Sequence, residues 1–192
     1  MNAVHPIEAE SYRIVAARAD LSGFGPLGAA VVARVIHASA DVDYARTMVV
    51  DEAAAAAGVA ALRTGAPVVV DVEMVRHGIA DVTSHCHLGD AGGDGLTRTA
   101  AAMRLAARRH GSGAVVVVGC APTALAEVVR QHLEEGFRPA LVVGLPVGFV
   151  GAAEAKAALR ATRIPSISNV GDKGGSAVAS AAVNALWRLA RG

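Results

Sequence analysis

The stretch Ala114-Val115-Val116-Val117-Val118-Gly119-Cys120-Ala121-Pro122-Thr123-Ala124-Leu125 decides how this chain folds. A short, valine-rich run bounded by glycine fits a strand buried on both faces of a parallel sheet. Pro122 then suits the first turn of a helix, where its missing N–H costs little. The same alternation of short apolar run and longer helical pattern extends in both directions. Strands are expected at Thr47–Val50, Val68–Val72, Val82–His85, Ala114–Gly119, Leu141–Leu145 and Ser166–Val170. Helices are expected at Pro6–Ala19, Pro26–Ala38, Glu52–Thr64, Thr97–His110, Pro122–Glu134, Ala152–Ala161 and Gly174–Arg191. Strand followed by helix several times over implies right-handed βαβ units and an α/β three-layer sandwich with a mostly parallel sheet.

Composition agrees with that architecture. Of the 192 residues, 53% are hydrophobic but only 3% aromatic, so the core is built from Ala, Val, Leu and Ile. The length suits a single domain over residues 1–192. Mean hydropathy is positive, at +0.42, yet a membrane span needs roughly 20 consecutive apolar residues. The densest runs, Ala53–Leu62 and Ala114–Val118, fall short of that, so no membrane partner is expected. Residues Met1 to Glu10 lack the basic start and apolar stretch of a secretory signal. Two cysteines, Cys86 and Cys120, make no disulfide framework, and a cytoplasmic location is expected. A net charge of +1 argues against a nucleic-acid surface, so an anionic ligand would need a local cluster.

In open sheets of this kind ligands sit beyond the carboxyl ends of the strands. The loops after Val72, Gly119, Leu145 and Val170 are therefore the places for chemistry. His37 ends the second helix, and Asp41 and Asp43 follow it. A helix C-terminus and nearby carboxylates favour an imidazolium, hence a proton donor; the alternative is a structural histidine capping carbonyls. Small residues at Gly119–Ala121 and around Pro146 allow close backbone approach to a flat or anionic ligand. Neither matches a Walker or dinucleotide fingerprint. Thr123 reads more naturally as a helix cap than as a ligand contact. Gly171-Asp172-Lys173-Gly174-Gly175-Ser176 is either an anion nest with Lys173 as its charge or a tight turn capped by Ser176. Arg98, at a helix start, is placed to clamp a carboxylate, whereas Arg108, Arg109 and His110 read as a solvated helix end. His85 and His87 share a strand face, but further ligands at metal-site spacing are missing. The glycine-rich Gly89–Gly95 segment reads as a flexible loop.

Taken together, these segments resemble the precorrin-8X methylmutase (precorrin isomerase) family. The resemblance runs from about Pro6 to Leu189. It is carried by Glu10-Ser11-Tyr12-Arg13-Ile14, Arg34-Val35-Ile36-His37-Ala38, Asp71-Val72-Glu73-Met74-Val75, Thr97-Arg98-Thr99-Ala100, Ala121-Pro122-Thr123-Ala124-Leu125, Gly144-Leu145-Pro146-Val147-Gly148-Phe149-Val150 and Lys173-Gly174-Gly175-Ser176. The family usually has Asn where this chain has Cys120, and Arg where it has Asp172.

The resemblance implies a flavodoxin-like sheet, a homodimer with the active site near the subunit interface, and a reaction without cofactor or metal. The implied reaction moves a methyl group from C-11 to C-12 of precorrin-8X, giving hydrogenobyrinic acid in cobalamin biosynthesis, with hand-over of that product to the next enzyme. His37 falls on the family's catalytic histidine, and Ser11 and Arg98 on positions that contact the macrocycle. Thr97, Arg13 and Lys173 complete the expected substrate-binding set, the two cations as rim anchors for ring carboxylates. A non-catalytic tetrapyrrole carrier would need the same walls and anchors but not His37. A phosphate-binding module would centre on the Lys173 turn.

Overall fold

The computed structural model describes residues 5–92 and 95–192. Gly93 and Asp94, within the expected Gly89–Gly95 loop, lie outside the described residues, as do residues 1–4, where the expected absence of a signal begins. The described elements run α1 (Pro6–Arg18), α2 (Pro26–Ser39), α3 (Tyr44–Thr47), β1 (Met48–Val50), α4 (Glu52–Arg63), β2 (Val68–Val70), α5 (Glu73–Gly78) and β3 (Ser84–Cys86). They continue with α6 (Arg98–His110), β4 (Val115–Val118), α7 (Pro122–Glu134), β5 (Leu141–Gly144), α8 (Ala152–Arg160), β6 (Ser166–Asn169) and α9 (Ser176–Arg191).

All six expected strands and all seven expected helices are present. They form one sheet in the order β1-β6-β5-β4-β2-β3, parallel throughout except that β1 runs against β6. Every residue of β2, β4 and β5 is buried, as valine runs without polar alternation require. Alternate strand residues feed two cores. Val68, Val70, Val115, Val117, Leu141 and Val143 pack with α1, α2, α4 and α9. Val69, Val116, Val118 and Val142 pack with α6, α7 and α8. The result is the expected α/β three-layer sandwich. Among the described residues no helix is long and apolar enough to cross a membrane.

Two short elements were not expected. Glu73–Gly78 turns helical directly after Asp71 and Val72, so the strand ends at Val70 and not at Val72. Tyr44–Thr47 forms a single helical turn, its Tyr44 ring buried, before β1 begins at Met48.

One ammonium group is enclosed by this core. Lys156 on α8 is fully buried, and its Nζ donates to Asn169 Oδ1 at 3.0 Å and to the Lys173 carbonyl at 2.6 Å. Burial, with the neighbouring Arg160 charge adding to it, pushes the group down to about 8. An unfolded lysine titrates at roughly 10.4. Between those values the unfolded chain binds more protons than the folded one, so stability rises with pH there. The cost of the buried charge is fully present below pH 8 and fades as pH rises toward 10. Wild-type protein is therefore expected to gain melting temperature relative to Lys156→Met between pH 7 and pH 10. A wild-type minus variant difference in melting temperature that stays flat or falls with rising pH would refute the assignment.

Candidate active site

The reversed strand β1 sets the position of the site. Because Met48 pairs with Asn169, the chain entering β1 arrives at the carboxyl edge of the parallel strands. The end of α2 is carried to the same edge, where the turns after β4, β5 and β6 also emerge.

His37 lies in the last turn of α2 and is half-buried. α2 meets α1 through positions spaced at helical intervals: Glu8, Ser11 and Tyr12 on one helix face Arg34 and His37 on the other. Ser11 Oγ lies 2.7 Å from His37 Nδ1. The Tyr12 ring stacks on the imidazole, with centroids 5.1 Å apart and planes inclined by 14°. The Tyr12 hydroxyl accepts from Arg34 Nη1 at 3.5 Å, and Glu8 ties Arg34 to Arg188 with bonds of 3.2 and 2.8 Å. Hydrogen bond and stack together fix the ring plane and occupy Nδ1. Nε2 is the nitrogen left to meet a ligand. His37 lines a groove of about 290 Å³ with apolar walls from Ile7, Ile14, Val15, Ile36 and Val42.

Asp41 and Asp43 do not serve His37 as expected. Ala40 adopts a left-handed conformation (φ 54°) and ends the helix, so the chain turns away from the imidazole. Both carboxylates instead hold Lys173 Nζ, at 2.6 and 3.1 Å. The Lys173 ammonium keeps the Asp41 carboxyl below its ordinary range, and the two carboxylates raise Lys173 in return. Lys173 thus stands close to the end of the His37 helix, but as a partly neutralised cation. Its turn is tight: a Cβ on Gly174 would lie 2.3 Å from the Leu145 carbonyl oxygen and 2.4 Å from that of Pro146. Ser176 is the first helical residue of α9, and Gly175, not Ser176, occupies the cap position without a side-chain bond.

On the other face of the sheet, but at the same edge, the starts of α6 and α7 meet. Thr97 caps α6, its Oγ1 accepting from Ala100 N at 3.3 Å, and lies 2.7 Å from Thr123 Oγ1. Thr123 makes no cap bond to α7, so the capping expected of it is not observed. Asp71 serves the α7 turn instead. Its buried carboxylate accepts from the N–H groups of Gly119, Cys120 and Ala121 at 3.1, 2.8 and 3.0 Å. Burial outweighs those bonds and lifts the Asp71 carboxyl above its usual value. Cys120 is raised as well, by burial and by the Asp71 charge, and so is no activated thiolate. Arg98 is exposed, and among the described residues it donates to the Leu88 carbonyl at 3.5 Å.

The expected residues therefore fall into two groups. Ser11 in the middle of α1 meets His37 in the last turn of α2, and Lys173 on the β6–α9 turn reaches the residues just after that helix. Thr97 and Arg98 stand across the sheet beside Thr123. Arg13 points outward and pairs with Glu10 on its own helix at 2.7 Å. Such an exposed pair is easily exchanged for another anion. The helix end at Arg108–His110 is not uniformly solvated. His110 Nε2 lies 2.8 Å from His87 Nε2, and Arg109 binds His87 Nδ1 and Asp90. Burial and the neighbouring His85, His87 and Arg109 lower His110. Among the described residues no group of three or more His, Cys, Asp or Glu side chains is arranged to hold a metal ion. Tyr12 and Asp71 are the contributors that inspection of the sequence missed, while Thr123, expected as a cap, instead meets Thr97. Only Tyr12 carried a usable signal, its spacing from Glu8 on the face that also bears Ser11.

Comparison with known proteins identifies the family of the chain. The model of the precorrin-8X methylmutase family matches residues 6–189. A cobalt-precorrin-8 methylmutase of Methanocaldococcus jannaschii is 42% identical, over 84% of this chain and 79% of its own length. A precorrin-8X methylmutase of a Sinorhizobium species is 39% identical over 93% of this chain and 91% of its own. The crystal structure of a precorrin-8X methylmutase from Thermus thermophilus superposes with a TM-score of 0.87 at 39% identity, covering 96% of this chain and 95% of that one. On this evidence the chain belongs to the precorrin-8X methylmutase family and is an isomerase of cobalamin biosynthesis.

Proposed function

We propose that this chain moves the methyl group at C-11 of precorrin-8X to C-12, giving hydrogenobyrinic acid, with His37 as general acid. The observation that carries the reading is the fixed imidazole: Nδ1 engaged by Ser11 at 2.7 Å, one face covered by Tyr12, and the residue lining an apolar groove. A proton given by Nε2 to the conjugated ring makes that ring more electrophilic. The methyl group then migrates with its bonding electrons to the adjacent carbon, and the proton returns to the imidazole. No covalent bond to the protein forms.

The remaining residues act on the rest of the substrate. A flat ring bearing many carboxylates needs apolar walls and cations at its rim. Val147, Phe149 and Val150, on the turn after β5, are exposed apolar side chains at this edge. Arg98, Arg13 and Lys173 are the rim cations, and Thr97 offers a hydroxyl beside a helix N-terminus. A homodimer would complete the site by covering the exposed Phe149 turn, with the whole chain acting as one domain. The product would pass from this edge to the next enzyme. A non-catalytic tetrapyrrole carrier would bind the ring through the same walls and anchors but leave it unchanged.

Following the visible spectrum of precorrin-8X, with and without cobalt in the ring and with no added cofactor, distinguishes the two. Wild-type protein should rearrange the spectrum of one ring form; binding without any spectral change would favour the carrier. His37→Ala should lose about 10²–10⁴-fold in turnover while still binding the ring. Unchanged turnover in that variant removes His37 from the mechanism. Ser11→Ala deletes one hydrogen bond to the imidazole and should lower kcat roughly 10-fold, the kinetic equivalent of about 1.4 kcal/mol. A loss confined to KM would instead place Ser11 against the substrate.

A further inference from the structure

The turn bearing Lys173 is held from the protein interior by a cation that no substrate reaches. Lys156 and Asn169 are both fully buried. Lys156 Nζ donates to Asn169 Oδ1 and to the Lys173 carbonyl, and Asn169 Nδ2 donates to that same carbonyl at 2.9 Å and to Val170 O at 3.3 Å. On the outer side, Gly148 N–H donates to the Asp172 carbonyl at 3.1 Å and Gly175 N–H to that of Leu145 at 2.9 Å. The charged groups around Lys156 are Arg160 on its own helix, whose guanidinium binds the Asn169 carbonyl at 2.8 Å, and Asp172 on the turn.

Removing an ammonium from water costs several kcal/mol, and a methionine would fill similar volume without that cost. Packing alone does not explain a lysine here. Its two bonds do: they converge on the backbone of the residue whose side chain reaches Asp41 and Asp43 beneath the His37 helix.

We propose that Lys156 is a positioning residue for the methylmutase reaction, clamping the Lys173 backbone so that the Lys173 ammonium stands between Asp41 and Asp43 at the end of the His37 helix. The proposal rests on the reading of that edge as the reaction site. It requires Lys156 to act through Lys173, so its removal should matter only while Lys173 is present.

A double-mutant cycle on the full chain tests this, with kcat and KM for precorrin-8X as readouts. Lys156→Met should lower kcat/KM about 10-fold, an interaction of about 1.4 kcal/mol. In a Lys173→Met background the same change should cost less than about 2-fold. Lys156→Gln, which keeps an amide donor, should recover part of the loss, and it enters the same cycle if the methionine variant does not fold. Equal losses in both backgrounds, or no loss in either, overturn the proposal. Amide hydrogen exchange provides a readout independent of turnover. Faster exchange confined to residues 170–175 and 40–44 in Lys156→Met supports the clamp, whereas unchanged or uniformly faster exchange overturns it. Should wild-type protein convert neither ring form, the functional reading falls, and the exchange experiment still decides the role of Lys156.

Discussion

The structure depends on burying three central strands on both faces. β2, β4 and β5 expose no residue, and their alternating side chains feed two separate apolar cores. A strand in that position has no room for a catalytic polar group, because an unpaired buried polar atom costs about 1–3 kcal/mol. Chemistry is therefore displaced to where the strands end. Polar side chains that do enter the interior at that edge arrive with partners. Asp71 meets three N–H groups, and Lys156 meets a carbonyl and an amide oxygen. These buried groups shape the turns that exposed residues then use.

The histidine illustrates how little apolar surface is needed to hold a functional element. Only Val15 of α1 is buried, yet α1 contributes Ser11 and Tyr12 to His37. Glu8 fastens α1 to Arg34 and Arg188 on two other helices. The helix is docked by directional contacts and so presents its side chains at a defined rotation. An apolar seam would tolerate sliding that a 2.7 Å hydrogen bond to an imidazole does not.

Much of this was legible in the sequence because burial leaves a local record. Valine runs, Pro122 at a helix start and the glycines at strand ends each encode a local conformation, and each element appeared where expected. The position of His37 was legible for the same reason, at the end of an apolar helical face. What failed was inference from nearness along the chain. Asp41 and Asp43 follow His37 closely, but the left-handed Ala40 redirects them to Lys173, far away in sequence. Thr123 looked like a cap because it follows Pro122, while the carboxylate that binds the turn comes from Asp71, just past the end of β2. α5 escaped notice because it starts without a linker, within three residues of the end of β2.

The antiparallel seating of β1 has a consequence for how the protein is born. The pairing of Met48 with Asn169 joins the first strand to the last, and it is this pairing that brings the α2 terminus up to the Lys173 turn. A chain emerging from the ribosome can build the β2–β4–β5 layers from nearby segments, but it closes this seam only after β6 has been made. Pairings over such long sequence separation form slowly, since loop closure must precede the reward of contact. The unsealed edge of β6 is meanwhile the segment most exposed to mispairing with other nascent chains. The meeting of the α2 terminus with the Lys173 turn is then among the last contacts made during synthesis.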